Sequence, residues 1–440
     1  MVTLIIAAVT AVLANFLSIL TLAEAKTAVI VLMGVISAIW CLKITISPFV
    51  GKQPTKRLSS LKKGGRLLGV FLITLLLSVA WLFYIIFATD LSAGRIILSS
   101  VFVFISELVI FWGGMARCFL TSVQLGIKWR LLAVVFAWIV PINIILLSKM
   151  ISLVKDECLV ETEKIELDSV RAENEICKTK YPVLLVHGVF FRDFRYFNYW
   201  GRIPATLIRN GATLYYGNQQ SAASVENSGE ELARRITQIV EETGCEKVNI
   251  IAHSKGGLDS RYAISGCNMD KYVASLTTVC TPHYGCKFAE WILSKVSEGF
   301  YKAVADKYNK ALKMVGDENP DFCAAVDSLT ASACESFNER CPDKESVYYQ
   351  SIGSVSKKAG AGKFPLNLSY RFVKLFDGEN DGLVSLSSMK WGEHFERLVP
   401  EGERGITHGD VIDLNRENIK GFDVREYYVK LLSDLKAKGF

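Results

Sequence analysis

Five apolar runs, at roughly 2–23, 27–47, 67–89, 96–116 and 131–149, fill the front of the chain; after residue 180 short apolar stretches alternate with amphipathic ones. Each early run is close to the ~20 residues a helix needs to cross the hydrocarbon of a bilayer. They predict a membrane domain of about five transmembrane helices over 1–150. The first run lacks a basic leader and a small-x-small cleavage site, so it reads as a span and not as a removable signal. Glu107 falls within the fourth run and Pro141 within the fifth. A carboxyl at that depth is a functional candidate, with a protonated Glu hydrogen-bonded inside the bundle as the alternative, and the proline reads as a tolerated kink. Residues 151–180 are charged and form a connector or a peripheral helix.

Beyond 180 the periods change. Tyr181 to Val186 is a continuous apolar run suited to a strand buried on both faces of a parallel sheet. A helical stretch (200–210), a short strand (212–216), an amphipathic helix (228–243), a strand (247–252), a helix (258–264) and a further strand (273–281) follow. Strand character returns at 346–352 and 369–376. Such alternation predicts an α/β domain over 181–440 with a doubly wound, mostly parallel sheet. Within 287–345, Phe288, Ile292, Val296, Phe300, Val304, Tyr308, Leu312 and Val315 recur at helical spacing. This predicts one strongly amphipathic helix, either packed on the sheet or serving as a lid.

Charge changes the picture of the front half. Residues 1–150 hold 13 Lys and Arg but only Glu24, Asp90 and Glu107 as acids, within a chain of formal net charge +6 and 50% hydrophobic residues. The positive balance is therefore a membrane-flank effect, and no nucleic-acid partner is implied. Basic residues cluster in the loops 48–66 and 117–130. The positive-inside rule puts both loops in the cytoplasm, and five spans would deliver the remainder to the outer face of a bacterial plasma membrane. Nine of the eleven cysteines fall after 150, with no metal-ligand spacing. A disulfide among Cys323, Cys334 and Cys341 and free buried thiols are both open.

The candidate chemistry centres on Val248-Asn-Ile-Ile-Ala-His-Ser-Lys-Gly-Gly257. A strand runs into small-x-Ser-x-Gly and then into a helix, the context that a nucleophile elbow requires. A serine nucleophile needs an imidazole to take its proton and a carboxylate to orient that imidazole, in the chain order Ser, acid, His. His187, His253 and His283 come too early for that order. Of His394 and His408, the second lies in a loop ahead of a helix, where it can reach over a sheet edge. For the acid, Asp381, Asp377 and Glu379 share one loop, and periodicity does not separate them.

Together, His187-Gly188, Ala252-His-Ser-Lys-Gly-Gly257, Thr281-Pro-His283, Asp327-Ser-Leu-Thr330, Asn380-Asp-Gly-Leu-Val384 and His408-Gly-Asp410 resemble the secreted bacterial triacylglycerol lipases of the α/β-hydrolase fold. The resemblance covers about 181–415. It implies Ser254 as nucleophile, Asp381 as acid and His408 as base, with Val189 and Lys255 giving the oxyanion-hole amides. It also offers Asp410 as one of two aspartates of a calcium site, but 357–363, where the other would fall, holds no acid. No cofactor is therefore expected. The chain reads as a membrane-anchored serine ester hydrolase with a lipid or acyl-ester substrate. A phospholipase, thioesterase or acyltransferase on the same triad, or a non-catalytic lipid-binding protein, stand as alternatives.

Overall fold

The computed structural model describes residues 1–189, 198–314 and 316–440; of the positions named above, Val315 lies outside them. The chain forms two compact units, Met1–Leu167 and Asp168–Phe440.

The first unit is helical throughout. Thr27–Ile46, Lys56–Ala88 and Ala93–Thr121 are each long and apolar enough to span a membrane, and the bent pair Val2–Ala14 and Phe16–Leu22 brings the number to four if it is one span. Apolar side chains cover these helices, and several of the polar groups they bury pair with one another. Asn15 Nδ2 donates to Ser78 Oγ at 2.9 Å, and Trp81 Nε1 donates to Ser18 Oγ at 2.9 Å. Arg57 reaches the carbonyl of Thr121 at 2.9 Å, which sets the basic start of Lys56–Ala88 beside the end of Ala93–Thr121.

The fifth expected span does not form. Its residues divide between the ten-residue helix Gly126–Val135 and the start of Ile142–Arg171, with turns from 136 to 141 between them. Pro141 thus lies in a turn and not in a kinked span, because proline cannot donate into a continuous helix. Ala133 ahead of the turn, Ala137 within it, and Ile144, Leu147 and Met150 after it line one cavity with Leu75 and Phe104. Glu157 then returns to the basic end, where it binds Arg57 at 2.6 Å and Ser122 Oγ at 2.6 Å. Residues 126–157 therefore enter the bundle and turn back. The charged stretch that follows is helical as far as Arg171.

The second unit is built on six parallel strands: β1 Val183–Val186, β2 Leu214–Tyr216, β3 Val248–His253, β4 Val273–Val279, β5 Tyr348–Ser354 and β6 His394–Leu398. Their order is β2-β1-β3-β4-β5-β6. Strands β1, β3 and β4 are buried along their whole length, as continuous apolar runs require in a sheet covered on both faces. Alternation sends Val183, Leu185 and Ile251 to a core with Trp200, Tyr428 and Leu432, and Leu184, Val186 and Ile250 to another with Leu232, Ile236 and Ile239. Each such side chain contributes roughly 1.5–3 kcal/mol of burial. Helix Val225–Thr243 supplies the second cover; Ser224 caps its start, and Gly244, at φ +68°, ends it.

Two expectations in this unit are corrected. Residues 369–376 are not a strand but part of helix Leu366–Asp377, which buries Tyr370 and Val373. Ser-Tyr-Arg-Phe-Val-Lys-Leu-Phe fits both periods, and spacings of three and four win once Tyr370 and Val373 find the core. The amphipathic segment after residue 287 is not one helix: Lys287–Lys295 ends at Val296, and Glu298–Met314 follows. Both carry exposed aromatics, among them Trp291 and Phe300.

Candidate active site

β3 ends at His253, and helix Lys255–Ser265 starts two residues later, which leaves Ser254 alone to reverse the chain. It does so at φ +55° and ψ −131°, a region costly for any residue with a side chain. Space around it is equally tight. A Cβ on Gly256 would sit 2.4 Å from the carbonyl oxygen of His187, and one on Gly188 would sit 2.9 Å from Ser254 Cβ. Only glycine lets the first turn of the helix approach β1 so closely. The Ser254 amide is used by the Val279 carbonyl at 2.9 Å, so β4 holds the turn in place.

His408 and Asp381 come from loops 27 residues apart and meet. Nδ1 of His408 lies 2.6 Å from Oδ2 of Asp381, and the His408 amide donates to the Asp381 carbonyl at 2.9 Å. Oδ1 of Asp381 accepts from the amides of Leu383 and Val384 at 2.9 and 2.8 Å. The carboxylate is fully buried and fully satisfied, which fixes the imidazole with its proton on Nδ1. The ring of His408 lies 4.4 Å from that of His253, centroid to centroid, and so beside the elbow. Among the described residues no hydrogen bond joins Ser254 Oγ to His408. The competing acids are committed elsewhere: Glu379 holds Arg397 at 2.7 Å, and Asp377 lies 4.0 Å from Lys287. His394 is exposed on β6.

The other histidines are structural. His253 Nδ1 meets the Tyr199 hydroxyl at 2.6 Å, and the same oxygen accepts from the Gly188 amide at 3.0 Å. His283 contacts Thr278 Oγ1 at 3.0 Å and stacks on Trp391. Burial pushes both imidazoles well below the usual histidine range; proximity of His408 adds to this for His253, and Arg261 for His283.

Lys255 opens the helix that follows Ser254, and Val189 packs against Ala222, Leu312 and Ala325. The Lys255 side chain does not face a ligand. Its ammonium is buried against Asp259 at 2.6 Å and Ser228 Oγ at 3.1 Å, one turn along the same helix. Burial pushes the Asp259 carboxyl up to about 7, against the pull of Lys255.

Two clusters of potential metal donors do not fit a metal ion. Asp410 gives Oδ2 to Arg404 Nη1 at 2.6 Å and to the Thr407 amide at 2.8 Å, and Oδ1 to Arg404 Nη2 at 3.2 Å. A guanidinium occupies the place of a cation, so these residues do not fit calcium. Cys280, Asp381 and His408 converge with ligand atoms within 4.8 Å of one another. The aspartate and histidine are already bonded to each other, and burial beside Asp381 pushes the Cys280 thiol well up, so it stays protonated and binds metal poorly. All eleven cysteines are free.

Sequence reasoning missed four of these partners. The i,i+4 spacing of Lys255 and Asp259 could have shown that pair. Nothing in the chain order points to Tyr199, Arg404 or Cys280.

The six-stranded parallel sheet, its helical covers and the strained serine turn define an α/β hydrolase. Comparison with known proteins narrows the class. Residues 213–319 match a family model described as "Putative serine esterase (DUF676)". The chain is 32% identical over 183 residues to a triacylglycerol lipase of Burkholderia plantarii, covering 39% of this chain and 51% of that protein. It is 28% identical over 262 residues to triacylglycerol lipase 2 of Saccharomyces cerevisiae, covering 55% and 74%. The crystal structure of Bacillus licheniformis lipase BlEst2 in mature form superposes with a TM-score of 0.44 at 24% identity, over 58% of this chain and 92% of that one. The chain spans about half the length of the Burkholderia plantarii relative and of a triacylglycerol lipase of Pseudarthrobacter phenanthrenivorans. The sequence likenesses are thus to a serine esterase family and to triacylglycerol lipases, over part of the chain.

Proposed function

We propose that Asp168–Phe440 is a serine ester hydrolase acting on acyl esters of lipids, and that Met1–Leu167 anchors it to a membrane. The observation that carries this reading is the buried His408–Asp381 pair beside a serine held at φ +55° on a strand-to-helix turn. Ser254 Oγ attacks the acyl carbonyl carbon while Nε2 of His408 takes its proton. The carbonyl oxygen becomes an oxyanion facing the Val189 and Lys255 amides. The tetrahedral intermediate expels the alcohol, which takes the proton back from His408, and an acyl-Ser254 ester remains. Water then repeats the sequence and releases the carboxylic acid. Asp381 holds the tautomer and steadies the imidazolium. A looser serine–imidazole contact before substrate binds is usual in such sites. The lipid substrate class follows from the likeness to triacylglycerol lipases.

The returning segment supports a cytoplasmic side for the catalytic unit. The basic loops 48–66 and 117–130 are cytoplasmic under the positive-inside rule. Residues 126–157 enter and leave at that same end, so the chain that follows them emerges in the cytoplasm. This revises the expectation of an outer-face domain, which needed a fifth crossing.

The test is labelling of the full-length protein with a fluorophosphonate probe, alongside hydrolysis of short and long acyl esters. Wild type should label and hydrolyse. Ser254→Ala should lose the label and about three or more orders of magnitude in turnover. An unlabelled but folded wild type would reduce the second unit to a lipid-binding module.

A further inference from the structure

The bundle buries a carboxyl that the hydrolase reading does not use. Glu107, in the middle of Ala93–Thr121, is 4% exposed, and neither carboxylate oxygen has a hydrogen-bond partner. The expected bond within the bundle is therefore not made. Buried polar groups nearly always find a partner, and an orphan of this kind calls for an explanation.

The surroundings supply one. Glu107 borders a cavity of about 290 Å³, close to the ~300 Å³ at which ligand pockets begin. Its wall is otherwise almost wholly hydrocarbon, from Phe71, Leu75, Phe111, Leu147 and Met150. A second cavity of about 150 Å³ shares Leu75, Phe104 and Glu107 with the first and carries the hydroxyls of Ser78, Ser99 and Ser100. Phe104 and Leu108 on the rim are exposed, so the larger cavity opens sideways, where acyl chains would lie. Ala137 of the turn at 136–141 and the residues on either side of that turn, Ala133 and Ile144, line it, which gives the returning segment a purpose that anchoring alone does not.

We propose that this cavity is a binding site for a single-chain amphiphile with a small hydrogen-bond-donating head, a hydroxyl or an amine, whose donor pairs with the Glu107 carboxyl while its chain lies along the phenylalanine and leucine wall. The site is distinct from Ser254, and its occupancy does not depend on the hydrolase reading.

The experiment uses the full chain in phosphatidylcholine vesicles and three diazirine-bearing probes: dodecanol, dodecylamine and dodecane. Photolabelled peptides are then mapped. The expected result is labelling within 104–115 and 143–150 by the alcohol or the amine, about fivefold or more above the alkane, the factor one hydrogen bond is worth. Whichever head labels more strongly identifies the natural ligand as an alcohol or an aminolipid. Glu107→Leu should abolish the excess, and Glu107→Gln, which keeps an accepting oxygen, should retain it. Equal labelling by dodecane, or an excess that survives Glu107→Leu, overturns the site. Should Glu107→Leu fail to fold by gel filtration, Ala133→Phe fills the cavity without touching the carboxyl. Loss of labelling in that variant supports the proposal, and unchanged labelling refutes it.

Discussion

Nδ1 of His408 and Oδ2 of Asp381 stand 2.6 Å apart, and the remaining oxygen of that carboxylate is held by two backbone amides. The pair is thus rigid before any substrate arrives, and its geometry is set by the loop that follows Asn380. Asp381→Asn keeps the shape but offers Nδ1 the wrong partner. Its turnover on a p-nitrophenyl ester should fall by about 10⁴-fold with the fold intact. A loss of under tenfold would assign the acid elsewhere.

Lys255 and Asp259 form a buried pair at 2.6 Å, so removing one partner strands the other. Lys255→Met alone should destabilise by about 3–5 kcal/mol, whereas Lys255→Met with Asp259→Leu should recover most of that loss. Denaturant melts of the three proteins check the ordering. Equal losses in the single and double variants would mean that the pair is not coupled.

His253 and His283 have pKa values depressed well below 6.5 by burial, so below pH 6.5 the unfolded chain binds protons there that the folded chain refuses. Each of the two thus contributes stability that is present above pH 6.5 and lost as the solution is acidified below it. His283→Gln removes one of them, so its stability should fall less steeply than that of wild type, by about 1.4 kcal/mol per pH unit below pH 6. Thermal melts of the two proteins between pH 7 and 5 measure the difference, and parallel curves would contradict it.

Because Arg404 spends both oxygens of Asp410, a chelator should leave the protein unaffected. EDTA and added calcium should shift neither Tm nor hydrolysis rate. Arg404→Met, by contrast, should lower stability by about 3 kcal/mol as it leaves the buried Asp410 carboxylate without its cation, held by the Thr407 amide alone. A calcium-dependent rise in Tm of the wild type would show a site that the described residues do not form.

In a cysteine-free background, single thiols report the side of each loop. With an impermeant reagent on intact cells, Leu91→Cys should react, whereas Lys52→Cys and Val170→Cys should be protected until the cells are opened. Reaction at 170 without permeabilisation would restore the fifth crossing.

The sheet was legible because β1, β3 and β4 are buried on both faces and announce themselves as unbroken apolar runs. The elbow was legible because its steric demands fall on neighbours in sequence. Other features carry no such mark. Hydropathy averages over a turn, so 131–149 looks like a span although the chain doubles back inside it. Ser369 to Phe376 satisfies two periods at once, and only the position of Tyr370 and Val373 against the core chooses between them. Arg404 and Asp410 meet through the fold of a loop, and no spacing rule encodes a guanidinium standing where a metal ion would go. Lys255 stands as a cation at a helix start, and only the packing of Ser228 and Asp259 around it turns the ammonium inward.

That last residue bears on selectivity. With its ammonium turned inward against Asp259 and Ser228, the position after Ser254 presents no cation to an approaching phosphate or carboxylate. Under the proposed hydrolase reading, discrimination among ester head groups then falls to side chains away from the elbow, and exchanging Lys255 is the wrong place to begin retuning it.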